Sequence, residues 1–244
     1  MKKLLTIILI GIIVSTFTSF SADKKNKFVP VAPNMEEIKQ NTQNPDSVSK
    51  YHLLYKTLWR KFQQNDTNMS LNEYRHLYYG YTFQEDYNPY RISEFSTKIQ
   101  PLYYNKTLTR AECDTIIKYA ELSLADVPFD LNQMQFYIYA LKTKKKNALA
   151  SIWQYRLNHL IQAILSSGTG KLESPWVVIS PVHEYNIANF AGLRVIDHKE
   201  INDSIDQIIV EETDPKKPKE FYFNVSYVKK EYARKFKESY NVNE

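Results

Sequence analysis

The stretch SGTGKLESPWVVIS, residues 167–180, marks where the chain changes its hydrophobic period. Its opening Ser167-Gly168-Thr169-Gly170 is small, polar and conformationally free, and it ends a helical pattern. Its closing WVVIS, residues 176–180, is a short β-branched run suited to a buried strand.

Working upstream, the spacing predicts helices over 147–166, 130–142 and 109–125. Leu131, Met134, Ile138 and Leu141 share one side of the second, and Thr109 with Glu112 forms a capping-box pattern at the start of the third. A further helix opens at Ser70, three residues before Glu73, and runs to about residue 79. The first, 50–64, carries Tyr51, Leu54, Leu58 and Phe62 at spacings of three and four, with Ser47 or Ser49 as its cap. Before it lie a short helix over 35–40, a turn at Asn44-Pro45-Asp46-Ser47 and a charged, proline-bearing tether over 22–34. The 109–166 helices, with DVPFD (126–130) between the first two and small Ala120, Ala140 and Ala148, resemble about one and a half tetratricopeptide repeats.

Working downstream, PVHEYNIANFAG (181–192) reads as a short helix with Pro in its first turn and Gly past its end. Residues 193–201 and 205–212 read as strands, and 220–228 alternates with Phe221, Phe223, Val225 and Tyr227 on one face. The turn chemistry of DPKKPK (214–219) makes an antiparallel hairpin of the last two. Residues 229–239 read as a basic, solvated terminal helix. Helices segregated from strands along the chain give an α+β fold: an N-terminal helical-hairpin array, then a small antiparallel or mixed sheet with a short helix. The segments are a leader (1–21), tether and first turn (22–49), helical part (50–168), β-containing part (169–228), and terminal helix and tail (229–244).

Residues 1–21 read as a secretory signal peptide. Met1-Lys2-Lys3 is a positive start, residues 4–14 are apolar apart from Thr6 and Gly11, and Ser19 and Ser21 stand at the −3 and −1 positions of a cut after Ser21. The alternative is an uncleaved membrane anchor, although the apolar run falls short of the ~20 residues that span a bilayer. The expected location is periplasmic or otherwise exported. The single cysteine, Cys113, is far from the cut, which excludes a lipid anchor there and leaves no internal disulfide; on the apolar side of its helix it reads as a buried thiol. Loss of Lys2 and Lys3 takes the net charge from +5 to +3, with acidic and basic residues interspersed, so nucleic acid is not an expected partner.

Two groups of residues carry the candidate sites. The aromatic segment 78–90 holds Tyr78, Tyr79, Tyr81 and Tyr87 among Asp86 and Asn88, broken from the helix by Gly80, Asn88 and Pro89. As a loop it would offer rings and hydrogen-bonding groups to a protein, peptide or glycan; equally, its rings would plug the end of the helical array or its junction with the sheet. The second group is His183, Glu184, Asp197 and His198, which could converge to bind a metal or carry acid–base chemistry. The zincin pattern fails because Ile187 stands where the second His belongs, and His183 is equally well read as satisfied by a backbone group at a helix start. No metal-ligand set and no cofactor is expected.

Gly168-Thr169-Gly170-Lys171 is not a phosphate loop, since Leu165 and Leu172 occupy the positions needing Gly and Ser or Thr. No activated nucleophile assembles around Cys113. Asp46-Ser47-Val48, Asp114-Thr115-Ile116 and Asp203-Ser204-Ile205 match an Asp-Ser/Thr-aliphatic pattern of envelope O-glycosylation.

The segments LYYGYTFQEDYNP (77–89), SGTG (167–170), VVISPVHEYNIANFAG (177–192) and FYFNVSYV (221–228), in that order, are similar to the bacterial family called domain of unknown function 4919. The resemblance spans roughly residues 35–230. It implies an exported protein, as is common for the family in Bacteroidota, with a helical repeat-like part and a β-containing end. It carries over no catalytic residue. The leading expectation is therefore a non-enzymatic interaction module using a concave helical face and the Tyr-rich loop. The alternative is an enzyme with a His/Glu/Asp site in the C-terminal part.

Overall fold

The structure is a computed structural model that describes residues 29–45, 48–105, 107–211 and 219–237. The leader, most of the tether, the Asp46-Ser47 turn, residues 212–218 and the tail from 238 lie outside the described residues. Nine α-helices are present among the described residues: α1 (Met35–Gln43), α2 (Tyr55–Gln63), α3 (Leu71–Gly80), α4 (Glu94–Ile99), α5 (Arg110–Asp126), α6 (Leu131–Thr143), α7 (Asn147–Leu165), α8 (Val182–Phe190) and α9 (Ser226–Tyr232). Four strands follow the first seven helices: β1 (Trp176–Val177), β2 (Val195–Asn202), β3 (Ile205–Val210) and β4 (Glu220–Asn224). The fold is α+β.

By contacts the described residues fall into two units that do not follow chain order. One holds residues 29–40, 79–89 and 163–237; the other holds 41–78 and 90–162.

The helical unit owes its helix starts to local chemistry. Glu73 N–H donates to Ser70 Oγ at 3.2 Å and Ser70 N–H to Glu73 Oε2 at 2.8 Å. Thr109 and Glu112 make the same reciprocal pair at α5, and Asp130 caps α6 by accepting from Gln133 N–H. Each such cap contributes about 1 kcal/mol. Lys144 pairs with Asp114, and Tyr137 OH donates to Glu121, so α5 and α6 form an antiparallel hairpin. The tetratricopeptide likeness is not confirmed. Phe62, Phe129, Tyr74 and Trp59 pack edge to face or stacked, and the Arg156 guanidinium lies over Phe62 and Trp153. The helix expected over 50–64 is broken. Leu54 is extended (φ −56°, ψ 135°), and a 3₁₀ turn (Val48–Leu53) precedes α2. Cys113 is fully buried, and burial pushes its thiol up from its ordinary value.

In the other unit the sheet order is β1-β4-β3-β2, with β1 parallel to β4 and the other pairs antiparallel. The mixed sheet has β2 at one edge. The β2–β3 register slips at both ends of β2, where Ile196 and Ile201 are bulged and exposed, a device that blunts an open edge. WVVIS is a strand only over its first two residues, yet Val178 and Ile179 are buried as expected. Residues 220–228 do not form one strand. β4 stops at Asn224, whose Oδ1 accepts from the Ser226 N–H and hydroxyl and starts α9, so Tyr227 leaves the alternating face.

The two loop glycines serve packing. A Cβ on Gly168 would stand 2.3 Å from the Pro175 carbonyl oxygen. Gly170 has φ +74° and lies under the Trp176 ring, while its carbonyl accepts from Tyr222 N–H. The terminal segment is not simply solvated. Val228 and Glu231 are buried, and past α9 a π-helical turn (Ala233–Lys237) brings the Lys235 ammonium onto the carbonyls of Gln84, Glu85 and Tyr87.

The aromatic segment is likewise built in. α3 continues through Gly80, and a 3₁₀ turn (Tyr81–Phe83) follows it. Tyr78, Tyr79, Tyr81 and Tyr87 are buried. Tyr79 OH donates to the Val177 carbonyl at 3.1 Å, and Tyr87 OH to that of Ile179 at 2.7 Å.

Candidate functional site

The site begins with a polar residue placed on an apolar stripe. In α8, Glu184, Ile187 and Ala188 follow the i, i+3, i+4 spacing of one helix face, and all three are buried. α8 closes at Gly192 (φ +72°), with Leu193 N–H donating back to the Ala188 carbonyl. The helix packs on β2 and β3, which delivers the Glu184 carboxylate to the sheet face.

The β2–β3 register supplies the other members. His198 pairs with Ile208, and Glu200 with Asp206. Alternate residues of a strand share a face, so His198 and Asp206 are diagonal neighbours on one side. His198 Nε2 stands 3.5 Å from Glu184 Oε2 and 3.4 Å from Asp206 Oδ2. One donor atom from each of Glu184, His198 and Asp206 lies within 4.8 Å of the others, and these residues have the atom types to hold a metal ion.

Burial sets the electrostatics. Glu184 is 0% exposed and Asp206 4%, while the His198 side chain is 32% exposed and opens the cluster to solvent. Both oxygens of Glu184 and Oδ1 of Asp206 have no hydrogen-bond partner. Desolvation pushes the Glu184 carboxyl up to about 9, and the neighbouring Asp206 adds to the shift, whereas Lys229 opposes it. Lys229 in turn pairs with Glu200 at 3.5 Å. The Tyr185 ring lies 5.9 Å from the His198 ring, and its hydroxyl is also shifted upward, first by burial and then by Glu184 and Asp206.

Of the four residues expected to converge, the structure brings Glu184 and His198 together. Asp197 is exposed on the opposite face, with Oδ1 accepting from His198 N–H, because successive residues of a strand point opposite ways. His183 is buried outside the cluster, its N–H donating to the Ser180 carbonyl at the helix start. Asp206 takes the place assigned to Asp197. The signal that could have found it is the alternation of 205–210, where Asp206, Ile208 and Val210 share the buried side.

The aromatic candidates do not form an exposed surface. Tyr78, Tyr79, Tyr81 and Tyr87 are core residues, Asn88 is half-buried, and only Asp86 of that group is exposed. The rings are drawn inward by their own area, and the two hydroxyls of Tyr79 and Tyr87 find carbonyl partners there. Of the Asp-Ser/Thr patterns, Asp203-Ser204 lies in the β2–β3 turn and Asp114-Thr115 within α5; Asp46-Ser47 lies outside the described residues.

The model of the family described as Domain of unknown function (DUF4919) matches residues 36–234. No curated protein and no solved structure matches the chain. Among the described residues, no helix is long and apolar enough to cross a membrane.

Proposed function

We propose a ligand-site function for this chain, which belongs to the family Domain of unknown function (DUF4919). The protein is exported and acts through the Glu184–His198–Asp206 cluster, with Tyr185 and Lys229 at its rim. The reading puts the alternative of a His/Glu/Asp centre ahead of the Tyr-rich contact loop, whose rings are core.

One observation carries it. Glu184 is fully buried with neither oxygen in a well-formed hydrogen bond, beside the second buried carboxyl group of Asp206 and 3.5 Å from His198. An unsatisfied buried polar group costs about 1–3 kcal/mol. A chain that keeps one such group on a helix stripe otherwise suited to Ile or Leu, and another on the strand it packs against, is storing free energy at that point for a ligand to release. The half-open imidazole of His198 gives the ligand its way in. Replacing Glu184 by the apolar Met, in a protein stripped by a chelator, is expected to raise the melting temperature; a fall would show that Glu184 is a structural residue.

Export rests on residues 1–21 and their small residues before position 22. The mature chain is then expected to begin at Ala22.

A further inference from the structure

We infer that Glu184, His198 and Asp206 hold a divalent first-row transition-metal cation, of which Zn²⁺ is the probe. This rests on the reading that the cluster is the functional centre, and it departs from the sequence expectation of no metal.

The distances carry the first part of the argument. Two ligand atoms each about 2.1 Å from a tetrahedral ion stand about 3.4 Å apart. His198 Nε2 is 3.5 Å from Glu184 Oε2 and 3.4 Å from Asp206 Oδ2. The three atoms lie within 4.8 Å of one another, and both spacings match an ion that His198 shares with each carboxyl group. They are too long for good direct hydrogen bonds, and Glu184 Oε1 and Oε2 make none. Glu184 supplies the independent sign of a ligand: a 0% exposed carboxyl group facing His198 and Asp206, neither of whose oxygens makes a well-formed hydrogen bond.

Chemistry selects the class of ion. Two carboxylates and an imidazole form an O, O, N donor set with no thiolate. Mg²⁺ and Ca²⁺ prefer oxygen alone, whereas imidazole suits Zn²⁺ and its first-row neighbours. A dication also suits the two carboxyl groups that α8 and β3 place side by side. The register supports the geometry independently, because His198 and Asp206 come from paired strands and Glu184 from the helix packed on them. Ligands on rigid elements are held in place before the ion arrives. Three protein ligands with an exposed edge at His198 leave a fourth position for water or a substrate atom, the arrangement of reactive rather than closed structural sites.

The test is titration calorimetry of the chelator-stripped mature chain with ZnCl₂ at pH 7, with MgCl₂ and CaCl₂ run separately, and melting curves alongside. The expected result is one Zn²⁺ per chain, a raised melting temperature, and a loss of affinity of at least about ten-fold in both His198→Ala and Asp206→Asn. His159→Ala, in the helical unit, should bind as the unaltered chain does. His198 is partly exposed, so its replacement leaves the fold intact, which circular dichroism checks. Zn²⁺ binding that survives His198→Ala and Asp206→Asn overturns the inference, as does binding of Mg²⁺ or Ca²⁺ without Zn²⁺. If Zn²⁺ fails to bind while Glu184→Met still raises the melting temperature, the metal is wrong and the functional centre stands. If Glu184→Met lowers it, the centre itself falls.

Discussion

Glu184 shows how one residue can set the behaviour of a site. Its carboxyl is shifted up to about 9 from 4.5, first by desolvation and then by Asp206. The folded state therefore holds a proton that the unfolded chain gives up near pH 4.5. Folding stability from this group is complete below that pH and is lost progressively as pH rises toward 9. In EDTA, the melting temperature of the unaltered chain should fall relative to Glu184→Met between pH 5 and 8.5; a constant difference would contradict the shift. At this scale the sequence was half legible. His198 and Glu184 are readable as chemistry-bearing side chains, but the sequence points to His183 and Asp197 as their companions where the fold supplies Asp206. Nearness in sequence is a poor guide on a strand, where the next residue faces away, and the diagonal neighbour Asp206 becomes visible only once the β2–β3 register is known. The tyrosines failed for a different reason. A run of Tyr serves an exposed loop and a wet core equally well, and only the carbonyls of Val177 and Ile179, some ninety residues on, decide between them.

Elements whose limits are set by neighbouring residues were the most legible. The capping boxes of α3 and α5 and the Gly192 stop of α8 follow from chemistry within a few residues, and each lies where the sequence puts it. The failures are also local, but rest on weaker signals. Asn224 ends β4 by accepting two hydrogen bonds from Ser226, against a hydrophobic alternation that runs on to Tyr227. The basic stretch 229–239 reads as a solvated terminal helix from its charge. Its Lys235 instead sits over three carbonyls and the Tyr87 ring, and burial lowers the ammonium from its ordinary value. Lys235→Met removes these donors and should speed amide hydrogen exchange over residues 81–88 while leaving that of α5 and α6 unchanged. Equal exchange rates in that segment would show that the contact holds nothing in place.

For the whole molecule, the change of period at 167–180 was enough to give an α+β fold. The two glycines there end the helices and also admit Pro175 and Trp176, whose contacts no single stretch of sequence announces. The grouping of residues 79–89 with 163–237 was not legible, because it depends on contacts between distant segments. The proposed export belongs to this scale as well, since it would decide which compartment's ligands and ions the site meets. N-terminal sequencing of the mature protein should start at Ala22, and a start at Met1 would contradict cleavage. The central claim is that Glu184, His198 and Asp206 are kept for a ligand at the expense of stability. The most direct measurement is calorimetric unfolding of Glu184→Met beside the unaltered chain, in EDTA at pH 8. Relief of about 1–3 kcal/mol, at roughly 2–4 °C per kcal/mol for a chain of this size, predicts a variant that melts several degrees higher; a variant that melts lower would contradict the account.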